Sequence, residues 1–195
     1  MEREATSVTA SRITTSRRVG CVPTAAPILW ITGLSGAGKS ALAWAVLENL
    51  RADGIQALMI DGDLVRHALD SPAQLERHDA ATRLHRAWRI AELARIAALQ
   101  GMPVVVATIA LFHAVQAWNR AGPAPYAEVV LTAEIDELKR RKTEVYSERG
   151  PVVGIDITPE FPTSPELVLV QRFVESDLPI HVSQVMTTWR GLCRP

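Results

Sequence analysis

The chain has 195 residues, 48% of them hydrophobic, and its 21 Lys and Arg balance 21 Asp and Glu. That length suits one domain with a substantial core. Balanced charge excludes a strong field drawing the chain to nucleic acid or an anionic membrane, and no apolar stretch is long enough to span a bilayer.

Residues 1–26 are rich in Ser, Thr and Arg and lack the apolar core of a secretory signal. They read as a disordered tail rather than a transit peptide, and a cytoplasmic protein is expected. Cys21 and Cys193 sit near opposite ends of the sequence and are read as two free thiols rather than a disulfide. A short buried strand is predicted over 27–32, then a glycine-rich turn and a helix over about 40–51, ended by Gly54. A second strand, 55–60, runs into Asp61-Gly62-Asp63. From 80 to 100, apolar Leu84, Ala87, Trp88, Ala91, Ala94 and Leu99 recur at helical spacing, and Gly101 closes the helix. The valine-rich run 102–109 predicts a central strand covered on both faces. A fourth strand around 129–131, a charged helix over 134–142 and a Gly/Pro-rich loop over 150–165 follow. A short fifth strand, 167–170, and a helical tail complete the order. Alternating strands and helices predict an α/β fold: a mostly parallel five-stranded sheet in three layers, forming one domain over 27–195.

Gly33-Leu-Ser-Gly-Ala-Gly-Lys39-Ser40 satisfies G-x-x-x-x-G-K-[ST] between a predicted strand and a predicted helix. Gly33, Gly36 and Gly38 let backbone N–H groups turn inward, and the following helix adds its positive end. The motif therefore predicts a cradle for ATP or GTP, built from Gly33, Ser35, Gly36, Ala37, Gly38, Lys39, Ser40 and Ala41. Lys39 reaches the β- and γ-phosphates, and the Ser40 hydroxyl binds Mg²⁺. The preceding strand and following helix supply the context such a phosphate loop needs.

Asp61 and Asp63 stand at the carboxyl end of the second strand, where open α/β sheets bind ligands. One can accept a proton from an attacking hydroxyl while the other holds the magnesium water shell; which does which is open. The plainer alternative is that both cap the next helix. Arg66, Arg83 and Arg89 are read as cations facing the same cleft, suited to a phosphate or sulfate. Arg86 and Arg95 are read as a solvated helix face.

The stretches WITGLSGAGKS, DGDLVRHAL, RIAELARIAALQG and GIDITPEFPTSPELVL together resemble the adenylylsulfate (APS) kinase family, over about residues 28–170. That family phosphorylates a sugar hydroxyl of a nucleotide. The resemblance implies the P-loop kinase fold, ATP with Mg²⁺, a small-molecule nucleotide acceptor and a homodimer. Departures fall on the acceptor side. The family's Asp-Arg and Asn align with Thr82, Arg83 and Arg86, and its loop serine with Ala110. The lid, about 143–165, reads as shortened around 146–153, without the family's basic residues and stacking Phe.

The loop ATIALFHAVQAWNR, 107–120, is similar to a divergent branch that includes the cytidine diphosphoramidate kinase of capsule assembly. This resemblance implies phosphorylation of a ribose 3′-hydroxyl on a cytidine diphosphate amidate. It implies acceptor contacts from Asp63, Arg66, Arg83, Ile109, Phe112, His113, Gln116, Asn119, Arg120, Gly154 and Ile155. It also sets Arg141 against the ATP adenine, with Arg140 as rival. Trp118 is read as core, and Asn119 alternatively ends a short helix. A true APS kinase and a catalytically silent nucleotide-binding module are the competing functions.

Overall fold

The computed structural model describes residues 25–143, 146 and 151–193. Residues 1–24 of the expected tail, Cys21 among them, lie outside the described residues; its last residue, Ala26, is instead part of the fold, its N donating to Ala98 O at 2.8 Å, and Cys193 is an exposed free thiol.

Five strands form one sheet: β1 (Ile28–Thr32), β2 (Leu58–Asp61), β3 (Val104–Ala107), β4 (Tyr126–Thr132) and β5 (Leu167–Val170). Their order is β2-β3-β1-β4-β5, and every pairing is parallel. Seven helices accompany them among the described residues: α1 (Lys39–Ala52), α2 (Gly62–Leu69), α3 (Pro72–Leu75), α4 (Ala80–Leu99), α5 (His113–Arg120), α6 (Ile135–Arg141) and α7 (Asp177–Leu192). The three-layer α/β expectation holds, and the sheet is wholly parallel.

β1 and β3 are buried along their whole length. Their alternate side chains feed two separate cores, as a doubly covered parallel sheet requires. Leu29, Ile31 and Val105 pack with Val46 and Leu50 of α1 and Val185 and Trp189 of α7. Trp30, Val104 and Val106 pack with Ala91 and Ala94 of α4 and Val115 of α5.

Two strands are shorter than their apolar runs for a hydrogen-bonding reason. Ile55 N donates to Leu50 O at 2.8 Å, closing α1 beyond Gly54, whose φ of 79° takes the left-handed turn. Met102 N donates likewise to Ala97 O at 3.1 Å, closing α4. Both amides are thereby used at a helix end rather than in the sheet ladder.

α1 leaves β1 toward one face of the sheet, whereas α5 packs with α4 on the other. The chain therefore diverges beyond the carboxyl ends of β1 and β3, which opens a crevice there.

Candidate active site

The crevice is a cleft of about 1040 Å³ with two chemically different halves. One half is the glycine loop with the start of α1. Gly36 and Gly38 take φ values of 82° and 96°, which a Cβ would strain. Gly33 lies so close to β4 that an added Cβ would meet Leu131 O at 2.2 Å. Gly38 caps α1 with no side-chain hydrogen bond, and the first turn holds no acidic residue. Ser35, Gly36, Gly38, Lys39, Ser40 and Ala41 line the cleft. Gly33 and the fully buried Ala37 do not line it; they shape the loop from behind.

Lys39 Nζ donates to Leu34 O at 2.8 Å. Burial of the ammonium lowers its pKa to about 8, against the opposing pull of Asp63 and Asp61. Such a cation is poised for an anionic partner. The glycine conformations, the uncapped helix end and this ammonium fit a nucleoside triphosphate.

The two aspartates differ. Asp61 Oδ1 accepts from Asp63 N at 2.9 Å and from Leu64 N at 3.3 Å, so it does cap α2. Its Oδ2 accepts from Ser40 Oγ at 2.6 Å. Ser40 and Asp61 therefore present adjacent oxygens, the donor type magnesium takes. Asp63 is exposed in the cleft, one residue into α2.

The other half is cationic and apolar. Arg66, His67, His78, Arg83 and Arg86 line it beside Ala87, Ile90, Thr108, Ile109, Ala110 and Phe112. Pro151, Val152 and Val153 also line the cleft. Arg66 Nε is buried without a hydrogen-bond partner. Arg83 gives Nε to His78 O at 2.8 Å and Nη2 to Pro151 O at 3.1 Å. Burial, then Arg83, Arg66 and Arg86, holds the His78 imidazole below its ordinary pKa.

Several sequence expectations need correction. Arg86 is no solvated surface residue: it lines the cleft with its donors engaged by Asp70 Oδ2 at 2.6 Å, Arg77 O at 2.9 Å and Gln74 O at 2.5 Å. Arg89 turns away from the cleft and pairs with Asp70 Oδ1 at 2.9 Å. Arg95 stacks its guanidinium 3.0 Å above the Trp118 ring instead of facing solvent.

His113, Asn119 and Arg120 do not reach the cleft, because α5 turns its polar side chains to other partners. His113 Nε2 donates to Phe161 O at 2.9 Å, and buried Asn119 gives Nδ2 to Tyr126 Oη at 3.4 Å. Arg120 binds Glu166 at 2.5 Å and the buried Glu128 at 2.8 Å. Hydrogen bonds to Glu166 and Glu128 hold its guanidinium above the ordinary value despite burial. Gly154 and Ile155 lie just past the wall residues: Gly154 packs on Leu34, and Ile155 is exposed. Arg141 lies outside the cleft, 4.1 Å above the Phe173 ring. Its rival Arg140 pairs with Glu137 on α6.

His78 and Arg86 were missed as cleft residues. Of the stretch read as the lid, 151–153 line the cleft, and the Tyr146 hydroxyl donates to Ser35 O at 2.9 Å on the phosphate loop. Nothing in helical spacing singles these out. Of the lid reading, residues 144, 145 and 147–150 lie outside the described residues.

A family model described as adenylylsulphate kinase matches residues 25–170. An adenylyl-sulfate kinase of Geotalea daltonii is 35% identical over 150 residues, covering 73% of this chain and 72% of that protein. A cytidine diphosphoramidate kinase of Campylobacter jejuni is 32% identical over 136 residues, covering 67% and 78%. Among solved structures, the Mycobacterium tuberculosis APS kinase in complex with AMPPNP and APS superposes with a TM-score of 0.74. It is 26% identical, over 86% of this chain and 99% of that one. No described helix is long and apolar enough to cross a membrane. A match running from β1 through β5, at these identities, leaves one conclusion: the chain belongs to the adenylylsulphate kinase family of ATP- and Mg²⁺-dependent kinases that phosphorylate a hydroxyl group.

Proposed function

We propose that the protein phosphorylates the ribose 3′-hydroxyl of a nucleotide-linked anionic acceptor, with cytidine diphosphoramidate as the best candidate. The observation that carries the reading is Arg66: a guanidinium nitrogen buried without a partner in the half of the cleft facing the phosphate loop. An unmet buried charged donor is costly, and an acceptor phosphate oxygen meets it.

The chain's residues divide the work. Loop amides and Lys39 grip the triphosphate and offset charge on its transferring end. Ser40 and, through the water shell, Asp61 would hold Mg²⁺, which supplies further neutralisation of the phosphates. Asp63 takes the proton from the ribose hydroxyl as that oxygen bonds to the γ-phosphorus and the bond to the ADP oxygen breaks. Asp63 suits the base because Asp61 already accepts from Ser40 Oγ and two α2 amides. Arg66 and Arg83 orient the acceptor phosphates.

One feature favours the amidate over adenylylsulfate: the likeness over 107–120 together with the Campylobacter relative. Adenylylsulfate is the second reading, on the strength of the equally similar adenylyl-sulfate kinases. A homodimer, as the sequence resemblance implies, is part of the proposal, and light scattering reads it as twice the 21.3 kDa chain mass.

ADP release is measured with cytidine diphosphoramidate, adenylylsulfate and CDP offered separately. Turnover confined to the amidate is the expected result. Turnover confined to adenylylsulfate transfers the function to the second reading, and ATP binding without turnover of any acceptor refutes both.

A further inference from the structure

Three polar side chains of α5, His113, Gln116 and Arg120, share a target, the segment 160–166. Helix α5 has neither a side-chain cap of its own nor an acidic residue in its first turn. Glu160, 47 residues away in sequence, supplies both: His113 N donates to its Oε2 at 2.5 Å. Glu160 N in turn donates to Leu111 O at 3.2 Å, and buried Gln116 gives Nε2 to Glu160 O at 2.7 Å. His113 Nε2 holds Phe161 O. One turn further, Arg120 donates to Ser164 O at 3.2 Å and to Glu166.

What this strap holds is a wall of the cleft. Residues 152–157 form a closed turn, with Val152 N on Asp156 Oδ2 at 2.8 Å and Gly154 N on Ile157 O at 2.8 Å. At one end of that turn Arg83 binds Pro151 O; at the other, two residues link it to Glu160. Pro159 stiffens that connection, and Pro162 and Pro165 stiffen the strap beyond it. Residues 110–112, which immediately precede α5, line the same half of the cleft through Ala110 and Phe112. Both sides of the acceptor pocket therefore meet at one contact, Glu160 on α5.

We propose that Glu160 and Gln116 are positioning residues for the acceptor: they strap the wall 151–157 to α5 and so set the width of the acceptor pocket without touching the acceptor. The assignment rests on the acceptor half of the cleft being read as above. It predicts a selective defect, because the hydrogen bonds of the strap run to α5 and to Leu111 O, on the acceptor side, while the wall meets the phosphate loop through the apolar packing of Gly154 on Leu34.

The test compares Glu160→Ala, Glu160→Gln and Gln116→Leu by steady-state kinetics and by hydrogen exchange of the 152–157 amides. Glutamine keeps an oxygen to accept from His113 N, so Glu160→Gln stays near wild type. Glu160→Ala and Gln116→Leu each raise the acceptor KM about tenfold while the ATP KM and kcat stay within about threefold. Exchange in 152–157 quickens in these two variants and not in Glu160→Gln. An acceptor KM within about twofold of wild type, an equal rise in both KM values, or a Glu160→Gln defect as large as that of Glu160→Ala overturns the proposal. Kinetics use whichever acceptor the wild-type enzyme turns over. If it turns over none, the functional reading has failed, and the exchange comparison alone decides: unchanged exchange in Glu160→Ala refutes the strap.

Discussion

Lys39 makes nucleotide binding a proton-uptake reaction. In the ligand-free protein its pKa is lowered to about 8, first by burial, with Asp63 and Asp61 opposing. A bound triphosphate sets several negative charges against the ammonium and restores the charged form. At pH 7 about nine-tenths of the ligand-free molecules carry a charged Lys39, and at pH 9 about one-tenth do. Affinity for a Mg-ATP analogue therefore falls about tenfold from pH 7 to pH 9, about 1.4 kcal/mol. The slope approaches one proton per molecule above pH 8. Calorimetry in two buffers of different ionisation heat reads the uptake directly: about half a proton at pH 8. Lys39→Met removes the slope along with much of the affinity. Stability runs the opposite way. The folded pKa lies below the ordinary 10.5, so between about 8 and 10.5 the unfolded chain holds more protons. Across that window the ligand-free fold gains stability as pH rises. A dissociation constant flat from pH 7 to 9, or proton release on binding at pH 8, refutes the assignment of Lys39 to the phosphates.

Asp63→Asn should lower kcat about a thousandfold while analogue affinity stays within about threefold, whereas Asp61→Asn should chiefly raise the Mg²⁺ concentration needed for half-maximal rate. Equal effects on magnesium dependence from both variants would reject the division of roles. Arg120→Met leaves Glu128, 2% exposed, with only the Tyr126 hydroxyl at 2.8 Å; urea unfolding should report a loss of about 3 kcal/mol at pH 7.

The nucleotide half of the site was legible because its chemistry is local. Eight consecutive residues, Gly33 to Ser40, carry the turn conformations, the cation and the hydroxyl, and the buried runs on either side fix strand and helix. Asp61 was legible as a magnesium or capping residue, and the Ser40 and α2 contacts show it serving in the cap while meeting Ser40. The acceptor half was not legible to the same depth, because its walls come from α2, α4, the 108–112 loop and 151–153. The resemblance over 107–120 implied that the polar cluster His113 to Arg120 meets the acceptor. The rotation of α5 instead aims it at a segment some 45 residues on, a pairing visible only once β4 and β5 lie side by side. For Arg86 and Arg89, helical spacing alone could not decide. One residue, Asp70 at the end of α2, captures both and leaves only Arg86 on the cleft.

The cations of the acceptor half are graded by the partners they keep. Arg86 is committed to Asp70 and two carbonyls, so it behaves as part of the scaffold joining α2, α3 and α4. Arg83 holds only carbonyl oxygens, at His78 and Pro151, and burial followed by Arg86 and Arg66 lowers its pKa. Carbonyl dipoles satisfy its donors without neutralising its charge. Arg66 keeps a buried nitrogen with no partner at all. An arriving anion therefore gains most at Arg66 and next at Arg83, where it also relieves repulsion among the three guanidinium groups. Because Arg83 is the residue that grips Pro151, acceptor charge and wall position act on the same side chain. A phosphate bound there draws on the donor that fastens the wall, and the α5 strap then becomes the wall's remaining anchor. Recognition of charge and closure of the pocket are thus joined at Arg83, and the wall reaches the phosphate loop across the cleft where Gly154 packs on Leu34.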